Sequence, residues 1–82
     1  MDELRETVDL MLSSDYEERF LAEFYQLRIR YEKLMAMLDK WDNGELEFEP
    51  TCPREMYDRQ RDAMESYLDI LTDRAALEGI EI

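Results

Sequence analysis

The chain has 82 residues with 22 acids, 10 bases, one cysteine and no histidine, and its formal net charge is −12. This length allows one small domain, and the lone Cys52 permits neither an internal disulfide nor the usual zinc site. The acidic balance argues against binding to nucleic acid or to an anionic membrane, and no apolar run approaches the ~20 residues that span a bilayer. We therefore expect a cytoplasmic, non-enzymatic protein with no metal and no cofactor.

The chain begins with a short predicted helix over about residues 2–12, where apolar residues recur at helical spacing. Ser14 followed by Glu17 forms a capping-box signature, which predicts that a second helix covers residues 14–41. Inside it, apolar residues alternate steps of four and three, the a/d spacing of a helix that packs along another helix. They are Phe20, Phe24, Leu27, Tyr31, Leu34, Leu38 and Trp41.

A connector over residues 42–52 follows, and it opens with Asp-Asn-Gly, a sequence that suits the end of a helix. Pro53 fits the first turn of a third helix and Gly79 stops it, so we predict a helix over 53–78. Two long helices joined by a short connector form an antiparallel αα-hairpin. The predicted fold class is therefore all-α, with a short N-terminal helix and a long antiparallel αα-hairpin in the single domain 1–82.

The second helix carries a further apolar strip outside its a/d positions. A single hairpin cannot cover both sides of this helix, so the strip packs either against the N-terminal helix or against another copy of the chain. We favour assembly as a homo-oligomeric helical bundle. The predicted oligomer interface consists of Leu21, Tyr25 and Ile29.

Acids recur along the third helix at steps of four and three, which places them within about 80° of arc. In one interpretation they form the solvated outer face of an amphipathic helix. In the other they imitate DNA phosphates, since carboxylates one helical turn apart are separated by about 5–6 Å. The residues of this acidic stripe are Asp58, Asp62, Glu65, Asp69 and Asp73.

Two polar residues of the third helix, Gln60 and Arg74, fall on the arc that is predicted to face the core, beside Tyr67. An unpaired buried arginine is costly. Arg74 therefore either reaches polar groups at the open end of the hairpin, near Tyr16 and Glu17, or holds an anion between subunits. The two interpretations stay open at the level of the sequence.

The second helix contains most of the bases that an anion could use. Residues 14–41 carry a net charge of only −1, because five bases offset six acids. An anion-binding pocket would therefore depend on these local bases. Among them, Arg28 lies beside Tyr25 and either pairs with Glu32 or combines stacking with phosphate binding.

Two blocks, YEERFLAEFYQLRIRYEKLMAMLDKW and MYDRQRDAMESYLDILTDRAALEGI, together resemble a group of short phage and prophage helical-hairpin proteins of gut bacteria. The first helix of that group has the pattern E-x-x-x-L-x-x-R-x-x-K-L, and the second has Q-x-x-A-M-x-x-Y-L-x-I-L-x-x-R. The resemblance covers about residues 16–80. The matching residues are Leu27, Arg30, Lys33 and Leu34, then Gln60, Ala63, Met64, Tyr67, Leu68, Leu71 and Arg74.

In size and hairpin layout the chain is more distantly similar to the helical hairpin of phage sponge proteins that block CBASS and Thoeris defence. Those proteins oligomerise and hold cyclic nucleotide or cyclic ADP-ribose signals between subunits. The similarity implies a phage-encoded anti-defence protein in the bacterial host cytoplasm that sequesters a cyclic-nucleotide-type immune signal. The residues expected to bind it are Arg28, Gln60, Tyr67 and Arg74, the arginines for phosphate and the tyrosine for stacking.

The acidic stripe supports an alternative function. It would make the chain an inhibitor of a bacterial defence protein, as a DNA mimic or in the manner of an anti-CRISPR. A third hypothesis is an accessory phage protein that binds some other protein.

Overall fold

The computed structural model describes residues 1–82 and contains helices but no strands. A 3-10 helical turn, Leu4–Thr7, continues into the short helix α1, Val8–Met11, and two long helices follow, α2, Tyr16–Asp42, and α3, Arg54–Glu78. The fold class is all-α, a short N-terminal helix followed by a long hairpin, and this confirms the prediction. None of the helices is both long and apolar enough to cross a membrane.

Helix α2 begins directly after an aspartate that caps it. The Asp15 carboxylate accepts a hydrogen bond from the Glu17 backbone N–H at 3.0 Å, and Asp15 has the extended backbone conformation of an N-cap. The Ser13 hydroxyl in turn accepts a hydrogen bond from the Asp15 N–H at 3.0 Å. The capping box predicted at Ser14 is therefore wrong, because the residue after it offers both a suitable side chain and the matching backbone geometry.

The largest core cluster lies between α2 and α3, near the open end of the hairpin. Phe20 and Phe24 of α2 pack there with Leu71 and Ala75 of α3, and all four are buried. Ile80, just beyond α3, completes the cluster. The a/d positions at the start of α2 therefore face α3, as their spacing predicted.

Gly79 ends α3 and directs the chain back to the core. It has a φ of +72°, a left-handed conformation that strains any residue with a Cβ atom. The Ile80 backbone N–H donates to the Ala75 carbonyl at 2.8 Å, the hydrogen bond of a Schellman motif. This turn places Ile80 in the core with only 7% of its surface exposed.

The face of α3 that packs on α2 differs from the predicted one. Leu71 and Ala75 are buried, and the residues at steps of three and four before them are half-buried back to Tyr57. Gln60, predicted on the core-facing arc, is exposed, and Tyr67 is 42% exposed. Helix α3 has two neighbouring rows with a/d spacing. The predicted arc coincided with the packing row only in part, and Gln60, Tyr67 and Arg74 fall outside that row.

The N-terminal segment, residues 1–12, covers the face of α2 opposite α3. Thr7 is 1% exposed, and its hydroxyl accepts a hydrogen bond from the Gln26 side-chain amide at 2.9 Å. Ala22 and Ile29 lie one turn before and one turn after Gln26 on the same face, and each is 2% exposed. The segment therefore buries an apolar strip that α3 cannot reach.

This packing accounts for one of the three residues of the predicted oligomer interface. Ile29 is buried within a single chain, while Leu21 and Tyr25 are half-buried and pack against the core cluster. The N-terminal segment, the other explanation for the strip, accounts for the burial of Ile29. Self-association stays a prediction.

The turn end of the hairpin is closed by an aromatic and charged cluster. The rings of Trp41 and Tyr57 meet edge to face with centroids 5.9 Å apart, and the Arg54 guanidinium lies 5.2 Å from the Trp41 centroid. Arg54 also donates to the Asp42 carboxylate at 2.6 Å and to Asp58 at 2.9 Å. The hydrogen bond from Arg54 lowers the pKa of Asp42. These contacts join the end of α2 to the start of α3.

Candidate functional site

Half of the ten bases form no ion pair within the chain, and most of these lie on one face of α2. Arg19, Arg30, Lys33 and Lys40 fall within about 80° of arc around the helix axis and extend along about 32 Å of it. We call this surface the basic face. Bases without an ion-pair partner retain a charge that is available to an anion, although the whole molecule is acidic.

A first cavity opens beside α2 on the basic face, with a volume of about 340 Å³ and a lining from α1, α2 and α3. Arg19 and Arg30 line its α2 side, and Tyr67 lines its α3 side. The Arg19 guanidinium donates to the Ser13 carbonyl at 2.9 Å, whereas Arg30 has neither a hydrogen bond nor an ion pair in the chain. The apolar lining comes from Met11, Ala22 and Leu27.

Glu23 is the one acid that lines the first cavity, and it is engaged. Its carboxylate accepts a hydrogen bond from the Tyr67 hydroxyl. That hydrogen bond is the main cause of a raised Tyr67 pKa, above the usual 10.0. The bond joins α2 to α3 beside the cavity and fixes the position of the Tyr67 ring.

A second cavity, of about 260 Å³, lies between α2 and the connector at the turn end. Lys33 and Lys40 line it with one acid, Glu47, and the Phe48 ring lines it while remaining 58% exposed. Lys33 follows Arg30 by one helical turn, so the two cavities are lined by bases that neighbour each other on the basic face, although the cavities share no lining residue.

The arrangement suits recognition of a small organic anion. Guanidinium and ammonium groups bind phosphate, and apolar or aromatic walls accept a planar base or ring. No group of three or more histidine, cysteine, aspartate or glutamate side chains is placed to hold a metal ion. The side chains of the basic face can hold a ligand through charge, hydrogen bonds and apolar contact.

The structure does not bring the four residues predicted to bind a ligand into one cavity. Gln60, Tyr67 and Arg74 recur at steps of seven and lie along one edge of α3. Arg28 lies on the other flank of α2, about 140° around the helix from Glu23, the partner of Tyr67. Of the four, only Tyr67 lines a cavity.

Arg74 has polar partners at the open end of the hairpin. Its guanidinium donates to the Tyr16 hydroxyl at 3.1 Å and to the Glu78 carboxylate at 3.3 Å, and lies 5.1 Å from the centroid of the Phe20 ring. Of the two interpretations of Arg74, the structure shows the one in which the guanidinium contacts polar groups at the open end of the hairpin. Its carboxylate partner there is Glu78 and not Glu17.

Arg28 also has partners within the chain. It forms an ion pair with Glu32 at 3.7 Å, as one interpretation of the sequence predicted, and lies 4.9 Å from the centroid of the Tyr25 ring. A further bond runs to the Met1 carbonyl at 3.2 Å, while the buried Nε atom has no hydrogen-bond partner. Arg28 therefore fastens the start of the N-terminal segment to α2.

The acidic stripe is partly occupied by internal contacts. Asp58 and Asp62 form ion pairs with Arg61, and Glu65 accepts a hydrogen bond from the Tyr31 hydroxyl at 2.7 Å. The two remaining acids of the stripe, Asp69 and Asp73, form no ion pair. The stripe is therefore less uniform as a negative surface than its spacing suggested.

Sequence reasoning did not select the bases of the basic face, although the sequence contains a signal for them. Arg30, Lys33 and Lys40 have no acid three or four residues away on either side. Helical ion pairs form at those spacings, so these bases cannot pair within α2. Arg19 lacks this signal, because Asp15 and Glu23 lie at pairing distance but make other hydrogen bonds.

The fold and the basic face define a small all-α hairpin protein built for binding. The family model described as Sequestin matches residues 14–77, most of the chain, and the protein belongs to that family. The matched region includes all of α2 and nearly all of α3 but not α1. The family name denotes sequestration, which implies a binding role. No curated protein and no solved structure matches the chain.

Proposed function

We propose that this protein sequesters a small nucleotide-type anion on the basic face of α2. The observation that carries the proposal is the set of four bases without ion pairs that line two cavities on one face of α2. In its specific form the ligand is a cyclic nucleotide or cyclic ADP-ribose immune signal. The protein is then a phage-encoded, non-enzymatic anti-defence factor that acts in the bacterial host cytoplasm.

The first cavity supplies complementary groups for such a ligand. Arg30 has an unengaged guanidinium, whose planar fork can bind a phosphate through two hydrogen bonds. Tyr67, on the opposite wall, offers a ring against which a base can stack. Lys33 and Lys40 continue the positive charge into the second cavity, so a ligand with two phosphates has a partner for each.

The contacts of the acidic stripe give less support to the alternative function, in which the stripe imitates DNA and inhibits a defence protein. A DNA mimic needs carboxylates that are free to contact the bases of a partner protein. Three of the five acids of the stripe already bind side chains of this chain. Neutralising Asp62, Glu65 and Asp69 together would abolish the binding of a basic effector if the mimic hypothesis were right.

Thermal shift with a ligand panel tests the proposal. We expect one cyclic dinucleotide or cyclic ADP-ribose derivative to raise the melting temperature of the wild type, because a ligand that binds only the folded state stabilises it. The double variant Arg30→Glu with Lys33→Glu should lose at least tenfold in affinity for that ligand.

Arg5 provides the control. Its side chain is exposed and lies outside both cavities. The double variant Arg5→Glu with Leu12→Glu alters the surface elsewhere, and its affinity should remain that of the wild type. Equal affinity of the wild type and the Arg30 and Lys33 variant would exclude the basic face as the site.

A further inference from the structure

Gln26 is fixed at the wall of the first cavity by the N-terminal segment. It lies one helical turn before Arg30 on α2, and its half-buried side chain lines the cavity. Its amide nitrogen donates a hydrogen bond to the Thr7 hydroxyl oxygen at 2.9 Å and another to the Met11 sulfur at 3.4 Å. The amide is therefore held by the 3-10 turn and by α1 together.

The orientation of the Gln26 amide follows from what its two partners can offer. A hydroxyl group has one proton, and Thr7 donates its proton to the Leu4 carbonyl at 2.7 Å. The Thr7 oxygen can therefore only accept a hydrogen bond from Gln26, and the thioether sulfur of Met11 has no proton to donate. Both contacts require an N–H group, so the NH2 group of the amide faces the N-terminal segment and the flipped arrangement has no bond to make.

This orientation leaves the carbonyl oxygen of Gln26 without a partner. It accepts no hydrogen bond in the chain, and Arg28 Nε is the one buried side-chain polar atom that lacks a partner. The Gln26 oxygen is therefore accessible, on a residue that lines the cavity. An acceptor that is fixed, accessible and unpaired favours a ligand that carries a hydrogen-bond donor.

We propose that Gln26 recognises the base of the bound nucleotide by accepting a hydrogen bond from an exocyclic amine, the group that adenine and guanine carry. The inference rests on the proposed function, since it concerns the same cavity and the same class of ligand. Arg30 lies one turn away, at about 5–6 Å between Cβ atoms, and supplies donors for a phosphate. The α2 wall thus offers a donor beside an acceptor, and a nucleotide with an amino-substituted base matches both.

Thr7 is a positioning residue in this arrangement. It is 1% exposed and lines no cavity, so it acts on the ligand only through Gln26. Without its hydroxyl the Gln26 amide can turn over and present its NH2 group, which suits a base with a carbonyl oxygen in place of the amine. The N-terminal segment thus sets the base preference of a cavity whose charged groups lie on α2.

Matched ligands measure this preference by isothermal titration of the full chain. Cyclic di-AMP and cyclic di-GMP are each compared with cyclic di-IMP, whose base lacks the exocyclic amine, and cyclic ADP-ribose is compared with cyclic IDP-ribose. The wild type should bind the amine-bearing member of at least one pair about tenfold more tightly, because the other member leaves the Gln26 oxygen without a donor. Gln26→Leu should bind both members of that pair with equal affinity.

Substitution of Thr7 separates recognition of the base from support of the fold. Thr7→Val should lose most of the preference, and Thr7→Ser, which keeps the hydroxyl, should retain it. Thr72→Val is the control, because the Thr72 hydroxyl also donates to a backbone carbonyl but is exposed on α3, and this variant should keep the wild-type preference. A side chain that only anchors the N-terminal segment would change the affinity for both members alike and leave their ratio unchanged.

Failure of this inference differs from failure of the proposed function. If the wild type binds both members of every pair equally, or if Gln26→Leu or Thr7→Val keeps the wild-type preference, Gln26 does not recognise the base, while sequestration on the basic face stands. If the wild type binds none of these ligands, the proposed function fails and the inference fails with it.

Discussion

Arginines that look alike in the sequence differ in what surrounds them. Arg74 bonds to Tyr16 and Glu78, and Arg28 bonds to Glu32 and the chain terminus, so their guanidiniums are engaged. Arg30 has no acid one turn away and no partner in the fold. Arg30, Lys33 and Lys40 are available because no acid lies three or four positions away, whereas Arg19 is available because Asp15 and Glu23 bond elsewhere.

Tyrosine hydroxyls bonded to carboxylates predict a loss of stability in alkali. These bonds raise the pKa of three tyrosines above 10.0. A group whose pKa is raised on folding stabilises the protein at pH values below its unfolded pKa. That stabilisation is lost as the pH rises through the folded pKa. The window therefore lies above pH 10. The pairs are Tyr16 with Glu78, Tyr31 with Glu65 and Tyr67 with Glu23.

Urea unfolding of Tyr67→Phe at several pH values measures this effect for one pair. The variant lacks the hydroxyl that donates to Glu23, so it should be less stable than the wild type at pH 8. The difference should shrink as pH rises above 10, where Tyr67 ionises and can no longer donate. A difference that is constant from pH 8 to the alkaline limit would contradict the hydrogen bond as its cause.

At the scale of elements, the end of α3 depends on Gly79. A Cβ atom there meets no other atom within 4 Å, so substitution acts through backbone strain alone. We expect Gly79→Ala to lower the free energy of unfolding by about 1 kcal/mol. Gly79→Asn should lose less, because asparagine tolerates the left-handed conformation better. Equal losses for the two variants in urea unfolding would argue against this account.

The N-terminal segment contributes to the stability of the fold by burying Ile29, so a substitution of Ile29 measures this contribution. Removing most of this side chain, which is 2% exposed, should cost about 3 kcal/mol in Ile29→Ala. Leu12→Ala, at a residue that is 74% exposed, should cost little and serves as the control. Because the burial lies within one chain, the cost should be the same at every protein concentration. A cost that appears only at high concentration would return Ile29 to an oligomer interface.

For the whole molecule, the sequence predicted the architecture well. Strong a/d periodicity in α2 and the stop at Gly79 indicated the long hairpin that the structure shows. The predicted face of α3 was displaced from the true packing row, which contains the half-buried Arg61, toward a neighbouring row that contains Gln60 and Arg74. Hydrophobic periodicity alone does not show which of two adjacent rows packs on α2 when both contain polar residues.

The sequence predicted the candidate site less well than it predicted the fold. Helical spacing predicted that Gln60, Tyr67 and Arg74 share one edge of α3 but not which arginines keep free guanidiniums. The lining of the first cavity comes from α1, α2 and α3. Spacing within one helix carries no information about which residues of the other two helices lie beside it. The basic face became apparent only when the partner of each base was known.

Isothermal titration of the purified chain, followed by heat release and mass spectrometry of the ligand, tests sequestration most directly. The account predicts saturable binding of a cyclic nucleotide or cyclic ADP-ribose derivative by the wild type, much weaker binding by Arg30→Glu with Lys33→Glu, and recovery of the ligand with its mass unchanged. Absence of binding across the panel, or recovery of a cleaved product, would contradict it.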